Sequence, residues 1–101
     1  MLEVLDIPNP VEQDLVVSYG ERDITIEIRW NDTLSFWYFN IKENNEYLAP
    51  GIPGTALNSN MLYDKFKLGK LYLIDTEQDT NPNPIVKEDL GQRIALIREY
   101  A

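Results

Sequence analysis

Apolar and polar residues alternate along much of the chain. In QDLVVSY, residues 13–19, Leu15, Val17 and Tyr19 fall on one face. In DITIEIRW, residues 23–30, Ile24, Ile26, Ile28 and Trp30 take one face, and Thr25, Glu27 and Arg29 take the other. A period of two held over that many residues fits a strand and no helical stripe. SFWYFNIK continues the pattern, with Trp37, Phe39 and Ile41 on one face and Phe36, Tyr38 and Asn40 on the other. Gly20-Glu21-Arg22, Asn31-Asp32 and Glu43-Asn44-Asn45 separate these runs, and all three are rich in turn-forming residues. Tyr47-Leu48 starts a short return strand, so the first half reads as an antiparallel meander.

The second half is less regular. APGIPGTALNSN carries two glycines and two prolines without periodicity and reads as a loop. In NMLYDKFK, Met61, Leu62 and Phe66 cluster as in a short helical turn. KLYLID, residues 70–75, is a strand with Leu71 and Leu73 opposite Tyr72 and Ile74, and TEQDTNPNP is an extended polar loop. RIALIREY tolerates a helix, but the preceding Gly91 and the alternation of Ile94 and Leu96 favour a last strand. The expected fold is all-β. It is a small antiparallel curled sheet or open barrel of about six strands, with one short helical turn, closed by the C-terminal strand as a single domain over residues 1–101.

Composition narrows the function. At 101 residues and 44% hydrophobic, the chain can build one core but not two separate ones. Nine basic residues against seventeen acidic ones give a formal charge of -8, which argues against tight nucleic-acid binding and against an anionic membrane surface. There is no cysteine, hence no disulfide or thiolate nucleophile, and no histidine, hence no Ser-His-Asp arrangement and no imidazole base or metal ligand. MLEVLDIPNP has neither a basic start nor a long apolar run, so it does not read as a secretory signal, and no stretch approaches the roughly 20 apolar residues of a membrane helix. The sequence is therefore expected to stay in the cytoplasm that makes it unless an assembly carries it elsewhere. Asn31-Asp32-Thr33 matches a glycosylation acceptor in form and is read as a turn.

The candidate chemistry is thin. Trp30, Trp37 and Phe39 share the isoleucine faces and read as core, whereas Phe36 and Tyr38 point away and are candidates for a partner-facing patch that Tyr19, Tyr47 and Tyr72 could join. Asp75, Glu77, Asp79, Asn81 and Asn83 place oxygens at alternate positions, as at the start of a calcium loop. Thr80 stands where the loop's glycine belongs and Val86 where its bidentate glutamate belongs, so no metal is expected. GIPG, residues 51–54, lacks the lysine and helix of a phosphate cradle, and the carboxylates mostly face outward or sit in turns. Neither catalysis nor a cofactor is expected.

Read in order, these residues resemble the bacteriophage baseplate plug proteins, a small domain type of a cyanophage contractile tail. Ile7-Pro8 and Gln13 match the family's opening, and Ile28-Arg29-Trp30-Asn31 and Trp37-Tyr38-Phe39-Asn40-Ile41 match its centre. Gly51-Ile52-Pro53, Asn60-Met61-Leu62, Leu68-Gly69, the strand Leu71 to Asp75, Asp89-Leu90-Gly91 and the closing RIALIREY follow in register. One departure is that Asn58 and Ser59 stand where a glycine often precedes the Asn60 segment.

The resemblance implies a structural virion protein, assembled in the host cytoplasm, that closes the lumen of the tail tube at its hub and spike end before infection. The implied partners are the hub, spike and tail tube proteins, and copies of itself around the tail axis, with no tight nucleic-acid binding and no membrane insertion. The expected docking surface is Phe36 and Tyr38 with the loop from Pro50 to Leu57, and Pro50, Gly51, Ile52, Pro53 and Gly54 at its centre. Two readings compete: a free-standing β module that binds a partner or carbohydrate on exposed aromatics, and an acidic phage protein acting on a host factor.

Overall fold

The turns are set by residues that accept left-handed backbone. The structure, a computed structural model, describes residues 2–55, 57–62, 64–77 and 87–100. Strands β2 (Gln13–Tyr19) and β3 (Arg22–Asn31) are joined through Gly20-Glu21, and β4 (Phe36–Glu43) and β5 (Glu46–Pro53) through Asn44-Asn45. Asn44 and Asn45 have φ of 50° and 67°, the pair of positive values that a tight hairpin turn of matching twist demands. Between β3 and β4, Asn31 Oδ1 accepts a hydrogen bond from the Leu34 amide at 3.0 Å, which closes a longer turn. The result is a four-stranded antiparallel sheet in the order β2-β3-β4-β5.

A second, three-stranded sheet has the order β1-β7-β6, built from β1 (Leu2–Leu5), β6 (Lys70–Asp75) and β7 (Ile94–Glu99). Short 3₁₀ turns at Asp64–Phe66 and Lys87–Asp89 complete the described elements, and the first lies where the sequence suggests a helical turn. The chain divides into two compact units, Val11–Gly54 and Met1–Pro10 with Thr55–Ala101. The first holds the four-stranded sheet and the second the three-stranded one.

The fold is all-β and antiparallel, as the alternation implies, and neither sheet closes into a barrel. Three details differ from the sequence reading. Residues 2–5, read only as a non-signal start, form a strand that pairs Leu2 with Glu99 and Leu5 with Leu96. The last strand does not close the meander; it is the centre of the second sheet. The expected loop from residue 50 begins inside β5, which continues to Pro53. That strand lies at a sheet edge, where a proline leaves no ladder bond unmade, and the pairing shifts register between Phe39 and Lys42 to accommodate it.

Period-two burial follows the ladders. In the first unit Ile26 faces Ile41, Ile28 faces Phe39 and Trp30 faces Trp37. Ile24, Ile26, Ile28, Trp37, Phe39 and Ile41 are almost wholly buried, whereas Trp30, expected with them, is half-buried. The two indoles meet edge to face, with centroids 5.2 Å apart. In the second unit Leu5, Leu71, Leu73, Ile94 and Leu96 are buried on one face, with Ile7, Leu62, Leu68 and Leu90 buried around them.

A candidate interface on the four-stranded sheet

The cross-strand register puts Thr25 opposite Lys42, Glu27 opposite Asn40, Arg29 opposite Tyr38 and Asn31 opposite Phe36, all on the face away from the isoleucines. Phe36 and Tyr38, two apart on β4, are half-buried, with ring centroids 6.5 Å apart and planes inclined by 65°. Pro53, opposite Tyr38, extends this aromatic corner.

The other expected interface residues are spread more widely. Ile52 faces Phe39 and so lies on the opposite side, while Pro50 and Gly51 are exposed at the edge. Gly51 donates its amide to Asn40 Oδ1 at 2.7 Å. Gly54 is buried, and its amide is bonded to the Trp37 carbonyl at 2.8 Å. The corner thus unites Phe36, Tyr38 and Pro53, with Pro50 and Gly51 along its rim.

Beside the aromatics lies a polar network that alternation alone did not reveal. Glu27, on the outward face, is only 8% exposed. Its Oε1 accepts hydrogen bonds from Asn40 Nδ2 at 3.1 Å and from the Tyr47 hydroxyl at 3.0 Å. Arg29 and Lys42 lie 3.7 and 3.6 Å from its Oε2. Arg29 also holds Asp14 at 2.8 Å, and Lys42 sits 5.0 Å above the Tyr47 ring. Burial disfavours the Arg29 charge, but the Asp14 hydrogen bond and the nearby carboxylates outweigh it and raise the Arg29 pKa. A buried carboxylate with this many donors is satisfied, so the network braces the sheet behind the aromatic corner. Only the cross-strand register, which sets Glu27 opposite Asn40 and Lys42 opposite Tyr47, brings these groups together.

Two ion pairs fix the strand ends. Arg22 grips Glu43 through two hydrogen bonds of 2.7 and 2.9 Å, which hold the Glu43 carboxyl below the usual range. Arg93 does the same to Asp75, with contacts of 3.1 and 2.7 Å. Asp75 and Glu77, the first members of the calcium-like run, are thus engaged with an arginine and a turn, Asp75 Oδ1 accepting the Glu77 amide at 2.9 Å. Asp79, Thr80, Asn81, Asn83 and Val86 lie outside the described residues.

A shallow, open groove of about 240 Å³ lies in the second unit, lined by Asn58, Asn60, Lys70, Tyr72 and Glu99. The Tyr72 hydroxyl donates to Glu99 at 3.2 Å. Burial and then Glu99 raise the Tyr72 pKa, so its phenol stays protonated. Neither the Phe36–Tyr38 nor the Trp30–Trp37 pair forms a flat platform, because their planes are inclined by 65° and 66° and Trp37 is 1% exposed.

Residues far apart in sequence but shared with the plug pattern meet in space. Asn60 Oδ1 accepts the amides of Leu62 and Leu71, both at 3.0 Å, and so ties the Asn60-Met61-Leu62 segment to β6. Gly91 packs against Ile7, so that a Cβ there would stand 2.2 Å from the Ile7 carbonyl oxygen. Asn58, where a glycine often stands, has φ 62°, a left-handed value that asparagine accepts better than most residues. Comparison with protein families gives a match over nearly the whole chain: the model described as cyanophage baseplate Pam3 plug gp18 covers residues 1–99.

The chain belongs to that baseplate plug family. No curated protein matches it. Membership makes it a component of the phage tail baseplate, in contact with other baseplate or tail proteins. No described helix is long and apolar enough to cross a membrane. The Trp30–Trp37 pair, the Asn60 clasp and the close approach of Ile7 to Gly91 all hold the fold.

Proposed function

We propose that the chain is a non-enzymatic plug that occupies the tail tube lumen at the hub and spike end and leaves it when the tail fires. The observation that carries this reading is the family match over residues 1–99. A supporting feature is an antiparallel β face with a half-buried aromatic corner. A plug has to hold during storage and yet release, which suits an interface of ordinary size made of many modest contacts. On this reading Phe36, Tyr38 and Pro53 form the apolar part of the contact with a hub or spike protein, and Pro50 and Gly51 form its rim. The net charge of -8 suits a lumen through which DNA passes without sticking.

The test is co-assembly with purified hub protein. Replacing Phe36 and Tyr38 together by alanine is expected to weaken capture at least tenfold, about 1.4 kcal/mol. Because both rings are only half-buried, the melting temperature should fall by far less than a buried-core truncation would cause. Undiminished capture by the double variant would remove this face from the interface. Tight DNA binding by the purified protein at low salt would rule out the repulsive lumen.

A further inference from the structure

The two edges of the three-stranded sheet are treated differently. At the β6 edge the chain covers itself: Asn58 donates its amide to the Leu73 carbonyl and Met61 to the Leu71 carbonyl, both at 2.8 Å, and Asn60 Oδ1 takes the Leu71 amide. At the other edge β1 pairs with β7 alone, and among the described residues no segment bonds to its outer side. Edge strands are commonly blunted by lysine, proline, a bulge, shortness or an inward-turned charge. Strand β1, Leu-Glu-Val-Leu, is short and turns Glu3 inward, but it has no lysine, proline or bulge on its exposed face, and its register against β7 is unbroken. It also displays apolar side chains, with Leu2 62% and Val4 61% exposed on the same face. Glu3 is turned to the other face and is held by Arg98 at 2.8 Å.

We infer that β1 is a docking edge that takes an extended, basic segment of a different protein as a further strand of the sheet; this rests on the baseplate reading above. A second copy is a poor occupant. Residues directly opposite in an antiparallel ladder share a face, so a two-fold pairing of β1 with itself centres on one residue. Centred on Glu3, it sets two carboxylates against each other; centred on Val4, it sets exposed Leu2 against exposed Asp6. Each copy also carries a charge of -8. A foreign strand with apolar residues at alternate positions covers Leu2 and Val4 and completes the backbone bonds. Lysine or arginine beside those positions answers Asp6, Glu99 and the overall negative field.

The experiment compares the free protein with protein incorporated into purified baseplates. Amide exchange across residues 2–5 should slow at least tenfold on incorporation; unchanged exchange overturns the inference. The variant Leu2→Lys with Val4→Lys should melt like the parent, since both side chains are exposed, yet incorporate at least tenfold less. Leu2→Glu with Val4→Glu keeps the attraction to a basic strand and should lose less. An equal or greater loss in the glutamate pair refutes the basic partner, as does self-association of the purified chain through β1. Normal incorporation of the lysine pair removes the edge but leaves the plug reading intact, whereas failure of the parent chain to enter baseplates removes both.

Discussion

Gly91→Ala tests the packing that joins the two ends of the family pattern. Gly91 has φ 79°, where an alanine costs about 1–2 kcal/mol relative to glycine. An added Cβ would also lie 2.2 Å from the Ile7 carbonyl oxygen and 2.9 Å from the Ile7 side chain. Because the nearest atom belongs to the backbone, no rotamer change relieves the overlap, and the main chain has to shift at roughly 1–3 kcal/mol, as for an overpacked core. The total, about 2–5 kcal/mol, is a large part of the stability of a domain this size. Gly20→Ala is the control, since Gly20 has a similar φ of 66° but nothing within 4 Å of its added Cβ. It should cost only the conformational part, about 1–2 kcal/mol, and so clearly less than Gly91→Ala. Thermal and urea unfolding of both variants separates the two contributions. Equal losses would refute the Ile7–Gly91 approach.

Three other outcomes follow from the packing and the ion pairs. Trp37→Ala, which empties a site 1% exposed, should cost about 3–5 kcal/mol by urea unfolding, and Trp30→Ala clearly less; the reverse order would place the wrong indole inside. The carboxyls of Glu43 and Asp75 titrate below their unfolded values because Arg22 and Arg93 bind them. Their contribution is therefore complete above about pH 4 and is lost as pH falls through the folded pKa values, so melting temperature should drop on acidification and drop less in Arg93→Ala. A parent and a variant with identical acid profiles would dismiss the Arg93–Asp75 pair. Since a unit the size of Val11–Gly54 is close to the lower limit for independent folding, we propose that the whole chain unfolds in one calorimetric transition; two separated transitions would contradict this.

What could be read from the sequence was mostly local. The meander was legible because each turn residue sits where the alternation breaks, as at Gly20 and at Asn44-Asn45. Strand β1 was not, because four residues carry little periodic signal and their partner in β7 lies near the far end of the chain. The strand through Pro50 and Gly51 was hidden by residues that usually mark loops, and only its position at an edge makes them acceptable. Glu27 was assigned correctly to the outward face, but its burial depends on Asn40 and Tyr47 from two neighbouring strands, which no single-strand pattern contains. The aromatic face was legible in the same way as the core: the period that buries Trp37 and Phe39 turns Phe36 and Tyr38 away from them.

The most direct test of the account is a reconstruction of the intact baseplate by electron microscopy at side-chain resolution. The account predicts this chain on the tail axis inside the tube lumen, with Phe36, Tyr38 and Pro53 against a hub or spike protein. Density for the chain on the baseplate periphery, or in the lumen with that aromatic corner facing solvent, would contradict it.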